Sequence, residues 1–443
     1  MIDMIIKRDG RTVPFDREKI TSAVYRAAVA CGGRDAEEAR RVTEDVLGML
    51  AARRDPSSYP TVEEVQDLVE KALIERGHAR TAKAYIVYRY EHTLKRAGRE
   101  SLTYSSENIP YRKLWESLTW AIDHDCFTLQ QLSGLVKAGR YGELVNASEE
   151  FYENELVNAA ERMLQRRDEL RVVVIAGPSS SGKTTTTLRI REKLEAAGIA
   201  AVPLAVDNYF FDLEAHPRIG RDDYDFETPR ALDLALIDSH LRALVAGEPV
   251  EVPAYNFKTG RREGVSGTLR LGEREVLLID SLHGLFPEMT QSVSEEAKFR
   301  LYIETLSQIR DADGHWVRWA DVRMLRRIVR DSLFRNYSPR ETIRHWHLVR
   351  RSELRYIVPQ LRRAHAIVNS FLPCELPIMK ARVGGQLGSL IEEFSKDPAQ
   401  EDALERAVRV KTIFDQIPEV RDERMIPPRS VLREFIGGSS LEY

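Results

Sequence analysis

The chain has 443 residues, and its 66 lysines and arginines set against 69 aspartates and glutamates leave a net charge of −3 with 43% apolar content. At roughly 100 to 200 residues per domain, about two to four domains are expected, each able to bury a core. The even charge balance gives no electrostatic footprint for non-specific nucleic-acid binding, and no apolar run approaches the ~18 to 20 residues that span a bilayer, so neither nucleic acid nor membrane is an expected partner.

Met1 to Gly10 reads MIDMIIKRDG, which lacks the apolar core and cleavage site of a secretory signal, so a cytoplasmic location is expected. Cys31, Cys126 and Cys374 are scattered and odd in number, and are expected to be reduced, idle thiols. Within about residues 1–95, Met4 to Ile6 and a piece through Val13 predict two short strands around the Asp9-Gly10 turn. Asp16 is expected to cap a helix carrying Ile20, Val24 and Ala27. Thr61 and Glu64 form a capping box before Val65, Leu68, Val69 and Leu73, and Gly77 is expected to stop that helix. Residues 96–170 begin with the polar RESLTYSSENIP and continue as amphipathic patterns such as Phe151 to Leu164, which predict a helical connector with a hinge at its start.

At Val172 the run VVVIA predicts a strand buried on both faces of a parallel sheet. Gly177-Pro-Ser-Ser-Ser-Gly182-Lys183-Thr184 follows, fits GxxxxGK[ST], and leads into the helix pattern Thr185 to Ala196. In such a loop the backbone around Gly177, Ser179, Ser180, Ser181, Gly182 and Thr185 faces the phosphates of a nucleoside triphosphate, because the helix N-terminus favours negative charge. Lys183 is expected to neutralise the β and γ oxygens, and the Thr184 hydroxyl to ligate Mg2+.

Asp207 follows the apolar segment Ile199 to Val206, which predicts a second strand ending beside the loop. A carboxylate there can orient and deprotonate a hydroxyl for attack on the γ-phosphate; a loop or capping role is the alternative. Val276 to Ile279 predicts a third strand ending in Asp280, either an acidic Mg2+ partner or ordinary turn chemistry. Asp321 to Arg335 reads DVRMLRRIVRDSLFR, a helical pattern with Arg323, Arg327 and Arg330 on one face. That face is either a solvated surface or a lid that stabilises transferred charge. His345 and His347 are two apart, cannot meet on one helical face, and are not read as metal ligands.

From Val172 to about Ser370 the chain resembles the uridine kinase and phosphoribulokinase family, block by block: GPSSSGKTTT, VDNYF, YDFETPRALD, PAYNFKTGRR and RMLRRIVRD. The resemblance implies Asp207 as catalytic base and Glu227 as ribose-binding acid. It implies Tyr255 and Phe257 as substrate-binding aromatics, Arg327 as a substrate contact, and Arg330 and Arg335 as phosphate contacts, with Arg330 also catalytic. The tail MIPPRSVLREFIGGSSLEY and the stretch Leu129 to Arg171 resemble bacterial nucleoside kinases of this family that carry an extra front domain. Here IIKRDGRTVPFDREKI and PTVEEVQDLVEKALIERGHARTAKAYIVYRY resemble an ATP-cone, which implies a second, regulatory nucleotide, ATP or dATP, with Lys7, Arg8 and Lys19 as its cationic contacts.

The chain departs from the family pattern at three places: Gly260 stands where pyrimidine-nucleoside kinases place a base-contacting histidine, Tyr337 replaces a lid arginine, and Asp280-Ser281 stands where related enzymes have Glu-Gly, which retains an acid one methylene shorter. The expected architecture is α/β, a P-loop-type parallel sheet flanked by helices over residues 171–385, preceded by a small mainly helical domain and the connector and followed by a helical extension over 386–443. The expected activity is ATP- and Mg2+-dependent phosphoryl transfer to a ribosyl hydroxyl of a nucleoside-like small molecule, in a homo-oligomer. Two alternatives are a kinase of a sugar phosphate or other hydroxyl compound, and a non-catalytic nucleotide sensor. The set Lys183, Thr184, Asp207 and the lid arginines favours an enzyme, since a sensor needs no base.

Overall fold

The computed structural model describes residues 3–6, 12–31, 33, 35–52, 59–82, 85, 109–218 and 224–442. The chain divides into two compact units, Met1–Tyr104 and Ser105–Tyr443. In the first, β1 (Met4–Ile6) and β2 (Thr12–Pro14) pair antiparallel and precede the helices Glu18–Ala30, Ala36–Ala51 and Val62–Glu75. Helical spacing puts Ile20, Val24 and Ala27 on one face, and they bury with Val42, Val46, Val69 and Leu73 in a core of their own. Thr61 and Glu64 close the capping box. Gly77 at φ +78° ends the helix, with His78 N donating back to the Leu73 carbonyl at 2.8 Å. The first helix differs from expectation: Arg17, not Asp16, is its cap residue, although the Asp16 carboxylate still accepts from Glu18 N at 3.0 Å.

The second unit is built on a parallel sheet of five strands, β3 (Val172–Ala176), β4 (Ala200–Leu204), β7 (Glu275–Ser281), β8 (Lys298–Glu304) and β9 (Ala366–Asn369), in the spatial order β4-β7-β3-β8-β9. Between them in sequence, β5 (Val250–Asn256) and β6 (Arg261–Leu269) form a separate antiparallel hairpin. Every residue of β3 is buried, as a strand covered on both faces requires. Val173 and Ile175 face a core shared with Leu156, Ile190, Leu194 and Phe394, while Val172 and Val174 face Ile237, Leu241 and Leu244 on the other side.

The helices Tyr111–Asp123, Leu129–Lys137 and Tyr141–Leu164 belong to this unit, and Leu129, Leu132, Tyr152 and Leu156 join the core beneath β3. Tyr152 Oη lies 2.7 Å from Thr186 Oγ1 on the helix that follows the phosphate loop. Val410, Phe414, Leu432 and Phe435 enter the same core. The described parts of 96–170 and of 386–443 therefore form one compact unit with the sheet, because their apolar faces have no other core to bury in. Cys126 and Cys374 are buried, and burial pushes the Cys126 thiol up to about 12. Among the described residues no helix is long and apolar enough to cross a membrane.

Candidate active site

The phosphate loop joins the carboxyl end of the central strand to the helix Lys183–Ala196. A Cβ on Gly177 would stand 2.4 Å from the Ile303 carbonyl oxygen of β8, so glycine alone lets the chain leave the sheet this close to its neighbour. Gly182, at φ +88°, turns the chain into the helix from the left-handed region. Ser180 also takes a positive φ, +61°, a conformation that costs free energy in a residue with a Cβ and is retained at ligand clamps. Lys183 Nζ donates back across the loop to the Pro178 carbonyl at 3.2 Å. The Ser180 and Ser181 hydroxyls are buried with no hydrogen-bond partner among the described residues. Orphaned donors, a helix N-terminus and a lysine together make a cradle that the phosphates of ATP would satisfy.

Asp207 lies in the short turn of helix Val206–Tyr209 that follows β4. Asp280 sits inside β7 rather than past its end, in register with Ile175 of β3. The Thr184 hydroxyl faces the Asp280 carboxylate at 3.5 Å. These are hard oxygen donors, the set that Mg2+ takes, so Thr184 and Asp280 fit the expected metal. Burial pushes the Asp280 carboxyl up to about 6, against the pull of Lys183. Burial likewise lowers the Lys183 ammonium and raises the Asp207 carboxyl, the latter opposed by Lys183 and Arg335. Asp207 nevertheless keeps exposed surface, and water there moderates the rise.

The helix Trp319–Phe334 divides its arginines between two tasks. Arg323 and Arg326 are fully buried, which corrects the expectation that Arg323 shares a lid face with Arg327 and Arg330. Arg323 lies between Glu304, 2.8 Å away, and Glu353, and donates to the Ser179 carbonyl at 3.1 Å. Arg326 grips Glu375 through bonds of 2.6 and 2.8 Å and donates to the Ser370 carbonyl at 2.6 Å. A buried guanidinium needs such carboxylates to offset its lost hydration, so these two arginines brace the loop from behind.

Arg327, Arg330 and Arg335 instead converge on Asp331, at 3.2, 2.7 and 3.7 Å. Burial works against the Arg327 charge, but Glu227 and Asp331 outweigh it and its basicity rises. Burial together with Arg335 lowers that of Arg330. Asp331 was not singled out from sequence, although its spacing of four from both Arg327 and Arg335 is the signal that finds it.

Glu227 is held at three points. Its carboxylate accepts from Arg327 at 3.0 Å, and its carbonyl accepts from His283 Nε2 at 2.9 Å and from the Ser352 hydroxyl. Burial keeps the His283 imidazole neutral by lowering it to about 4. Arg327 also donates to the Ser179 hydroxyl at 3.1 Å, so one side chain ties the Glu227 segment to the phosphate loop.

Tyr255 and Phe257 lie with ring centroids 5.0 Å apart, and Phe210 stands 5.6 Å from Tyr255 and 6.2 Å from Phe226. Phe226 and Phe257 are exposed, so this aromatic cluster has an open face. Phe210 and Phe226 lie inside VDNYF and YDFETPRALD but carried no separate sequence signal. Gly260 has φ +70°, and a Cβ there would meet Leu213 Cβ at 2.9 Å, so its position holds no side chain. His216, buried against Phe226, donates from Nε2 to the Phe211 carbonyl at 2.8 Å and leaves Nδ1 with no partner among the described residues. His345 accepts from or donates to Tyr337 Oη at 2.8 Å.

In the first unit, Lys19 is exposed and stands 3.7 Å from Asp16, while Lys7 and Arg8 lie outside the described residues.

Comparison with known proteins places these features. Residues 172–376 match the model of the phosphoribulokinase / uridine kinase family, and residues 3–94 match that of the ATP cone domain. A uridine kinase of Deinococcus deserti is 32% identical over 198 residues, 44% of this chain and 86% of that protein. Uridine-cytidine kinase B of Dictyostelium discoideum is 29% identical over 198 residues, 44% of this chain and 73% of that protein. A uridine kinase of Chloroflexus aggregans is 28% identical over 222 residues, 49% of this chain and 97% of that protein. With a phosphate loop, the carboxylates Asp207 and Asp280 and the converging arginines in one unit built on a parallel sheet, the chain belongs to the phosphoribulokinase and uridine kinase family of ATP-dependent kinases.

Proposed function

We propose that this kinase transfers the γ-phosphoryl group of ATP to the 5′-hydroxyl of a nucleoside, with Asp207 as general base. The observation that carries the reading is the Arg327 bridge from Glu227 to Ser179, which holds a hydroxyl-binding acid at a fixed distance from the phosphate loop. In this reading Glu227 accepts from ribose hydroxyls and Asp207 takes the proton of the attacking hydroxyl. Lys183, Arg330 and Arg335 balance charge on the phosphoryl group in transit. Thr184 and Asp280 would hold Mg2+, which when bound would supply further charge neutralisation at the phosphates. Uridine kinases among the relatives favour a nucleoside acceptor, and the open aromatic cluster gives a base a surface to stack on.

Because residue 260 has no room for a side chain, base selectivity falls to the cluster and His216. Stacking tolerates every base, so discrimination is expected to be weak. A panel of ribonucleosides and sugar phosphates, incubated with ATP and Mg2+ and resolved for phosphorylated products, tests this. Nucleoside 5′-monophosphates with less than about tenfold spread in kcat/KM, the factor of one 1.4 kcal/mol contact, are the expected result. Phosphorylation of sugar phosphates alone would transfer the reading to the other acceptor class.

The match of residues 3–94 to the ATP cone domain favours a second nucleotide site that controls the kinase. ATP or dATP is expected there, coupled by about 1 to 3 kcal/mol, or 5- to 150-fold in affinity. In the full chain, substitution of Lys7, Arg8 and Lys19 together by alanine should abolish the response of kinase rate to added dATP. A response that survives would place the effector elsewhere.

A further inference from the structure

The C-terminal helix Arg433–Ile436 lies against the phosphate loop, 249 residues from it in sequence at the point of contact. One oxygen of the Glu434 carboxylate accepts from the Thr185 backbone N–H at 2.9 Å and from the Thr185 hydroxyl at 2.8 Å. These two donors stand in the first turn of the helix that the loop enters, where backbone N–H groups and the helix dipole are directed at a bound phosphate. A carboxylate is the side chain that best imitates a phosphate oxygen: anionic, acceptor-only, and able to take charge-assisted bonds.

The contact is delivered by a firmly held segment. Leu432, Phe435 and Ile436 are buried in the main core, Val431 Cγ2 would lie 2.4 Å from a Cβ on Gly182, and Arg433 donates to the carbonyls of Glu423 and Ile426 at 2.7 Å each. The Glu434 side chain itself is half-exposed, so it can rotate away while the helix stays in place.

We propose that Glu434 is an internal competitor for the nucleotide: its carboxylate fills a phosphate-oxygen position on Thr185, and ATP binds only by displacing it. Two anions do not share one N–H donor, and a second negative charge beside a triphosphate repels it. Glu434 thus sets the ATP affinity of the kinase from the far end of the chain, and a ligand or partner that draws the tail outward raises that affinity without touching the loop.

The inference rests on the phosphate loop's binding of ATP, and the test separates the two. Titration calorimetry of the full chain with ADP and Mg2+ compares wild type, Glu434→Gln, Glu434→Ala and, as control, Glu195→Gln, which removes an exposed charge from the same helix without contacting Thr185. Both Glu434 variants should bind ADP about tenfold more tightly, the factor that 1.4 kcal/mol carries. Their KM for ATP should fall with the Kd, while the control stays at the wild-type value. Unchanged or weaker binding in variants that keep the wild-type Tm overturns the proposal and makes Glu434 a structural clamp. If no variant and no wild type binds ADP, the nucleotide reading of the loop itself fails. Binding by the Glu434 variants alone would support the proposal in its strongest form.

Discussion

Asp207→Asn should lower kcat by about 10² to 10⁴, the range that a positioned general base supplies, while ADP binding stays near the wild-type value. Asparagine keeps the size and hydrogen-bonding reach of the side chain but cannot take up the proton of the attacking hydroxyl. The phosphate cradle is built from other residues, the loop backbone, Lys183 and the serine hydroxyls, so nucleotide affinity has no reason to follow. The pH profile carries the same signature. Burial raises the Asp207 carboxyl above its ordinary 3.8, so as pH falls this group protonates before an ordinary aspartate would, and its basic form is lost. An acid limb in kcat/KM should therefore appear with its midpoint above 3.8, and it should be absent from the residual activity of Asp207→Asn. Steady-state kinetics across pH, with calorimetric ADP titration alongside, measures both. A variant that turns over at the wild-type rate removes Asp207 from the base role.

Glu375→Ala should destabilise the larger unit by about 3 to 5 kcal/mol, the cost of leaving one partner of a buried ion pair without the other. Arg326 and Glu375 are both 0% exposed, and no water can replace the lost carboxylate without opening the core. The double substitution Arg326→Met with Glu375→Leu removes both charges and should recover much of the loss, since apolar groups of similar volume replace buried pairs at little net cost. Denaturant titration of the full chain gives the comparison. A loss near 1 kcal/mol, the size of an exposed pair, would mean that solvent reaches the site. Activity should fall even in the double variant, because Arg326 also holds Ser370, whose hydroxyl donates to the Ser181 carbonyl of the phosphate loop at 2.5 Å.

Some of this molecule was legible from sequence because the determinants are local. VVVIA implies a strand covered on both faces, and GxxxxGK[ST] between strand and helix implies an anion cradle, since both rest on backbone geometry within a dozen residues. The capping box at Thr61 and the stop at Gly77 are local in the same sense. The division of labour among the arginines was not legible. Arg323 and Arg327 differ by one helical turn and have the same chemistry, yet the first is sealed between Glu304 and Glu353 and the second reaches the cleft.

That distinction depends on carboxylates that arrive from other strands and helices, and charge alone does not say which arginine will be buried. The same holds in part for Gly260, whose missing side chain answers both to its local turn at φ +70° and to Leu213, which arrives from another segment, and it holds for Glu434, placed on Thr185 across 249 residues. Sequence spacing determined which residues share an element and a face. Tertiary packing alone decided which charges lose water and must find partners, because desolvation is a property of the assembled core and not of the chain.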